Sequence, residues 1–254
     1  MPDALATALA LPGFGWLVAA AIIAGLVRGF SGFGTAMIFL PIAGQFLGPF
    51  AAITALIIMD LIGPIPALPR ALRDASPRDL SRLLIGALVG LPLGVLLLSQ
   101  MGEEGFRYAV SGLTLGLLLA LISGLRYRGA LTRRLLVGTG GISGLLGGAA
   151  GLPGPPVIML YMTSTQPPAV IRGTTMAYLL FADIAIIAVL ALAGELVPSA
   201  LTTGALLILP YLAAIRLGTL MFVPERDALY RWVAYSVIAA SALSGLPIWD
   251  GLLG

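Results

Sequence analysis

The chain reads as an all-α polytopic membrane protein, and three features predict it: charge is scarce, apolar runs are long, and two glycine ladders recur 119 residues apart. Only 10% of the 254 residues are charged and 59% are hydrophobic, against roughly a quarter charged in an average soluble domain. Residues 29–59 and 135–171 carry no charge, and both runs exceed the roughly 20 residues that cross a bilayer. Gly25, Gly29 and Gly32 match Gly144, Gly148 and Gly151. The match predicts one membrane domain over residues 1–254 made of two homologous halves, 1–128 and 129–254.

Taken in order, the first apolar stretch, Leu11 to Leu47, is too long for one simple helix and is broken by glycine. Residues 1–13 lack a basic n-region and an obvious cleavage site, so this segment is expected to stay in the mature chain. Plain crossings are expected over Pro49–Leu68, Leu83–Met101 and Phe106–Leu125. The second half repeats the order. Leu135 to Met162 is a broken stretch, followed by crossings over Pro168–Ala193, Ser199–Phe222 and Trp232–Trp249. Each half is thus a Gly/Pro-broken membrane segment followed by three transmembrane helices.

Loop charge predicts orientation. Arg70, Arg73, Arg78 and Arg82 mark one cytoplasmic loop, Arg126, Arg128, Arg133 and Arg134 another, and Glu103 and Glu104 fall between them. If the second broken stretch enters the membrane and returns, Glu195 falls outside and Arg226 and Arg231 inside. That alternation makes the halves inverted repeats, an arrangement found in secondary transporters. Whether each broken stretch is re-entrant, doubly crossing or one tilted crossing stays open.

Composition also excludes chemistry. The chain has no cysteine and no histidine, which removes disulfides, thiolate nucleophiles, imidazole relays and the usual zinc sites. All 14 basic residues are arginine and concentrate in short breaks between apolar runs, which is loop charge rather than a nucleic-acid footprint. There is no phosphate loop, and the Gly-Phe-Ser-Gly-Phe-Gly string has no histidine to activate its serine. No catalytic residue, metal site or cofactor is expected, and the chain is not expected to be an enzyme.

Ionisable groups at membrane depth are functional candidates by default, since insertion costs about 2.5–3.5 kcal/mol each. Arg28 lies inside the first ladder, Asp60 midway along the following helix and Asp183 midway along the corresponding helix of the second half. Arg28 offers several donors to an oxyanion, or forms an internal salt bridge to Asp60. Asp60 and Asp183 are proton carriers or fixed counter-ions. Pro64 removes the amide that would bond the Asp60 carbonyl, so a kink is expected beside the carboxylate. Arg172 follows Pro167 and Pro168 at a helix start and divides between surface and site, whereas Arg216 is expected to snorkel.

The ladder glycines alone suit close helix packing. The stretches after them, Ser31-Gly32-Phe33-Gly34-Thr35 and Gly151-Leu152-Pro153-Gly154-Pro155-Pro156, ask for more. Pro155 and Pro156 predict a fresh helix starting inside the membrane, its free amides and positive dipole end suited to an anion. Ser31 and Thr35 offer hydroxyls at the matching level of the first half.

These same residues carry a family resemblance. GGAAGLPGPPVIMLY over Gly147–Tyr161, with Arg172 eleven residues on, and RGFSGFGTAMIFLP over Arg28–Pro41 resemble the two motifs of the sulfite exporter TauE/SafE family. Thr35 and Ala36 stand where the family often continues with glycine, and Leu152 and Pro153 replace glycines in the second motif. The resemblance implies a multi-pass protein of the bacterial inner membrane that moves sulfite, sulfonates or related anions. Its motif candidates are Arg28, Ser31, Gly32 and Gly34 in one half, and Gly151, Gly154, Pro155, Pro156 and Arg172 in the other.

The reading is a secondary transporter for a small sulfur-containing anion, bound near the midplane between the two broken helices. Arg28, Arg172, Ser31, Thr35 and the Gly32–Gly34 and Gly151–Pro156 backbone, Pro153 included, would contact the anion. Asp60 or Asp183 would couple protons if coupling exists. The expected partners are that anion and the lipid bilayer, with a homodimer left open. Two rivals remain: a membrane-embedded enzyme using an aspartate pair, although Asp183 falls four positions out of the 119-residue register, and a non-transporting scaffold subunit.

Overall fold

A computed structural model describes residues 8–123, 131–161 and 164–249. Arg126 and Arg128, which mark half of one predicted cytoplasmic loop, lie outside the described residues. Among the described residues the chain is helical throughout, with no strand. The helices are α1 (Phe14–Ser31), α2 (Thr35–Ala43), α3 (Pro49–Leu61), α4 (Leu68–Asp74), α5 (Pro77–Ser99), α6 (Glu103–Ile122), α7 (Arg133–Ala150), α8 (Gly154–Tyr161), α9 (Pro168–Ala193), α10 (Pro198–Met221) and α11 (Asp227–Ser244). Among the described residues five helices, α1, α5, α6, α9 and α10, are long and apolar enough to cross a membrane, and the pair formed by Pro49–Leu61 and Ile65–Asp74, bent by 48°, is either a sixth, broken span or a re-entrant loop.

Local chemistry explains the ends. Pro77, Pro168 and Pro198 sit in the first turns of α5, α9 and α10, where a missing N–H removes no intrahelical bond. Ser76 caps α5 by accepting from the Asp79 amide at 3.4 Å, and Thr132 caps α7 through the Leu135 amide at 3.3 Å. The stretch expected as one crossing over Pro49–Leu68 is instead broken: α3 stops at Leu61, and a 3-10 turn over Ile65–Ala67 leads into α4. Pro64 and Pro66 withhold the amides that would carry the helix on. α7 and α11 were also expected to lie in membrane segments, and they are helical but not among the five. In α7, six glycines and an Arg133-Arg134 start dilute the hydropathy.

The packing divides into two compact units, both discontinuous in sequence. Unit one comprises 1–60, 101–119 and 196–254, and unit two comprises 61–100 and 120–195. In unit one α1 packs along α10 while α2 lies against α1 and α11. Its fully buried side chains include Leu17, Phe39, Ile53, Phe106 and Tyr211. In unit two α5 packs along α7, and α9 lies against α4 and α5. The core there joins Leu83, Leu136, Val157, Tyr161 and Tyr178. Leu192 and Leu220 remain more than 80% exposed, as lipid-facing leucines do.

Both long pairings are glycine seams. On α5, a Cβ at Gly86, Gly90 or Gly94 would lie 2.0, 2.1 and 2.3 Å from α7 carbonyl oxygens. From the other side, Gly140, Gly144 and Gly148 would meet α5 carbonyls at 2.1–2.4 Å. Backbones this close permit Cα–H···O contacts and leave no room for a methyl group. In unit one, Gly25 and Gly29 face the Tyr211 and Ile215 carbonyls of α10, and Gly218 answers from α10. Close packing thus accounts for the ladder positions Gly25, Gly29, Gly144 and Gly148.

Candidate functional site

In unit one the chain turns from α1 to α2 through Gly32 and Gly34, with φ of 79° and 100°. Both values lie in the left-handed region that L side chains avoid. The turn lets α1 end on the Gly32 N–H bond to the Arg28 carbonyl at 2.8 Å and α2 restart at Thr35. The Ser31 hydroxyl, 2.7 Å from the Val27 carbonyl and 3.0 Å from that of Phe33, is spent on steadying the turn. The first amides of α2, from Thr35 to Met37, have no intrahelical carbonyl before them.

Four side chains close a ring beside this turn. Arg28 Nη1 donates to Asp60 Oδ2 at 2.5 Å and to Thr35 Oγ1 at 3.1 Å. The Tyr211 hydroxyl donates to Asp60 Oδ1 at 2.6 Å and lies 2.9 Å from Thr35 Oγ1. Because tyrosine has one proton and Asp60 takes it, Thr35 must donate to Tyr211 and accept from Arg28. Both carboxylate oxygens are therefore held, each by a different helix. Each member comes from its own element: Arg28 from the last turn of α1, Thr35 from the first residue of α2, Asp60 from the end of α3, Tyr211 from mid-α10 after Pro210.

Burial in the ring is uneven. Tyr211 and Thr35 are buried, whereas the side chains of Arg28 and Asp60 keep 24% and 16% exposure. An ion pair in low dielectric is held only when its remaining donors and acceptors are also met, and the two hydroxyls do that for the carboxylate. The guanidinium stays the accessible member. Of the two readings open for Arg28, the salt bridge to Asp60 is formed.

Unit two makes its turn at Gly151, φ 65°, between α7 and α8. Its hydrogen bonds come from hydroxyls, and Asp183 is close enough to act on the Tyr178 hydroxyl through space. Ser143 donates to the Pro153 carbonyl and accepts from the Tyr178 hydroxyl at 2.6 Å, and Ser143 and Tyr178 are fully buried. α8 begins at Gly154 as expected, yet Pro155 and Pro156 carry no N–H, so within its first four residues only Gly154 and Val157 have amides to offer. Asp183 lies midway along α9 and half-buried, about three turns beyond Arg172, which is exposed like Arg216.

Arg28, Thr35 and Asp60 are thus brought together from the candidate residues. Gly151, Pro153, Gly154, Pro155 and Pro156 share the second turn. Tyr211, Ser143 and Tyr178 escaped the sequence reading. Hydroxyls in apolar helices are common, and only Pro210 beside Tyr211 and the charge-free surroundings of Ser143 singled them out.

Several membrane-length helices, glycine seams and two turns that interrupt helices define a multi-pass integral membrane protein. The family model described as sulfite exporter TauE/SafE matches residues 17–245, and the chain belongs to that family of membrane transporters. No curated protein and no solved structure matches the chain.

Proposed function

We propose that the protein is a secondary transporter of a small sulfur-containing anion, sulfite or an organosulfonate, and that Arg28 is the charge that receives it. One observation carries the reading: a part-exposed guanidinium stands at a helix break, in a stretch otherwise free of charge, paired to Asp60. The family's description supports the sulfur anion as substrate. Sulfite and sulfonates present several oxygens to a fork of N–H donors, as a carboxylate does. Asp60 is then the resident competitor, displaced when the anion arrives, with Thr35 and the first amides of α2 adding neutral donors.

Protonation of Asp60 would dissolve the pair and release Arg28, so Asp60 is the coupling carboxylate in this reading and Asp183 a counter-ion. The Gly151–Pro156 stretch is assigned a conformational part in the cycle, and Arg172 a surface position. The test is transport of sulfite, sulfate and a sulfonate by proteoliposomes, with and without a pH gradient. Wild type should move at least one sulfur anion faster than empty liposomes, and Arg28→Ala should not. Equal transport by Arg28→Ala would remove the reading's central residue.

A further inference from the structure

Unit two carries positive charge where helix electrostatics disfavours it. α5 and α7 run parallel, because the Val137, Gly141 and Leu145 carbonyls of α7 face Gly86, Gly90 and Gly94 of α5 in ascending order. Their N-termini therefore stand side by side, and each is a positive dipole end that favours anions and opposes cations. Arginine nevertheless occupies both, as Arg78 and Arg82 in the first two turns of α5 and Arg133 and Arg134 at the head of α7. One carboxylate, Asp79, answers from the same turns, and it is ion-paired to Arg82 at 3.9 Å. Arg78 and Arg134 are exposed, and among the described residues neither forms an ion pair. Two adjacent helix starts with this excess of charge suit a phosphate.

The surface that continues from these arginines is apolar and open. On α5, Arg78 and Arg82 lead at helical spacing into Ile85, Val89, Leu93 and Leu96, whose exposures lie between 53% and 67%. From Ile85 to Leu96 the stripe rises about 16 Å, the depth of one leaflet of a roughly 30 Å hydrocarbon core. Ile85, Val89 and Leu93 each stand one residue before a seam glycine of α5, whereas Gly138 and Ile142 stand one residue after the seam positions Val137 and Gly141 of α7. At about 100° per residue, those two offsets point to the same side of a parallel pair. One turn before Gly138 that side carries Arg134, level with Arg82 one turn before Gly86. Gly138 has nothing within 4 Å of a Cβ position and Ile142 is 57% exposed, which leaves a furrow beside the α5 stripe. α8 and α9 pack instead against Leu83, Ala87 and Leu136.

We propose that this face seats an anionic phospholipid of the cytoplasmic leaflet, its phosphate between Arg82 and Arg134 with Arg78 beside it, and an acyl chain along the furrow. The arginines fit the headgroup and the apolar stripe fits the chain. A soluble anion would use only the first. Basic recesses between membrane helices bind such headgroups by the same combination of charge and depth.

The experiment is native mass spectrometry of the full chain, purified in neutral detergent and offered phosphatidylglycerol or phosphatidylcholine of equal chain length. Phosphatidylglycerol should bind about tenfold or more tighter than phosphatidylcholine. Arg78→Gln with Arg134→Gln, both at exposed positions, should fold and weaken its binding about tenfold or more. Gly138→Leu keeps every charge and fills the furrow, and it should weaken binding about threefold or more, as displacing a buried methylene does. Inorganic phosphate should not displace the lipid. Equal binding of the two lipids, full binding by the arginine variant or displacement by phosphate would overturn the proposal. An unaffected Gly138→Leu would also overturn it, reducing the face to diffuse surface charge. So would a lipid-free dimer lost in Gly138→Leu, which would give the face to a second copy of the chain. No sulfur anion is present in the assay, so its outcome is independent of the Arg28 reading.

Discussion

At the turn between α1 and α2 an arginine, an aspartate and two hydroxyls close a ring, whereas at the turn between α7 and α8 a serine, a tyrosine and a carbonyl close a shorter chain. Both turns pass through left-handed glycine, and both restart a helix of eight or nine residues. What differs is what satisfies the freed groups. At the second turn the hydrogen bonds run between hydroxyls and a backbone carbonyl, with no salt bridge among them. The ion pair at the charged turn is therefore more than the break requires, and that surplus is the reason to place anion recognition there.

The largest effect should come from removing the surplus charge. Arg28→Ala should lower anion transport at least about 100-fold, since the oxyanion loses a bidentate partner in low dielectric. It should also lower stability by about 2 kcal/mol, less than the 3–5 kcal/mol of a fully buried pair because Arg28 and Asp60 keep partial exposure. Arg28→Ala with Asp60→Asn makes the first turn neutral like the second. The double variant should regain most of the stability, measured by thermal unfolding, while transport stays lost. Recovery of transport in the double variant would show that the charges serve the fold only.

Second in size is the seam that frames the neutral turn. Gly86→Ala sets a methyl 2.0 Å from the Val137 carbonyl, so α5 and α7 must separate, a loss on the order of 1–3 kcal/mol or more. Gly138→Ala on the same α7 meets nothing within 4 Å and should be neutral or slightly stabilising, by up to about 1 kcal/mol. The pair, compared by folded yield and unfolding temperature, separates close approach from helix propensity.

Much of this plan is readable from residues. Pro64 announced a kink beside Asp60, where the helix in fact stops at Leu61, and the glycines after each ladder announced the breaks. The partners of the breaks were less legible. The contacts joining α1 to α10 and α5 to α7 link residues more than 45 positions apart, and neither apolar periodicity nor loop charge reports which helix a glycine face meets. For that reason the α5 glycines, Gly86, Gly90 and Gly94, gave no warning that they oppose the second ladder. Tyr211 was hidden by the same distance, being 151 residues from Asp60.

Tyr211 gives the third test. Tyr211→Phe removes the bond to Asp60 Oδ1 and leaves Thr35 without its acceptor. Arg28 keeps its own bond to Asp60, so the charge pair survives less firmly held. Transport should change by about tenfold in either direction that a loosened Asp60 dictates: faster anion entry if displacement of the carboxylate limits the rate, slower if orientation of Arg28 does. Unchanged transport at every anion concentration would separate the hydroxyl from the cycle.

The smallest effect belongs to the neutral turn, and it is the sharpest check on the comparison. Ser143→Ala deletes the hydroxyl that donates to the Pro153 carbonyl and accepts from Tyr178, stranding a buried acceptor and a buried donor. Such groups cost about 1–3 kcal/mol when left unmet. A water could enter the space of the lost oxygen and recover part of that, so the expected loss is about 1 kcal/mol, read from thermal unfolding. Transport per folded molecule should stay within about twofold of wild type, because no charge is moved and the anion's cation stands elsewhere. Tyr178→Phe should do the same with a smaller loss, since Ser143 keeps its bond to the carbonyl. If instead Ser143→Ala impaired transport as deeply as Arg28→Ala while folding normally, the neutral turn would be a recognition element too, and the division of labour between the turns would have to be abandoned.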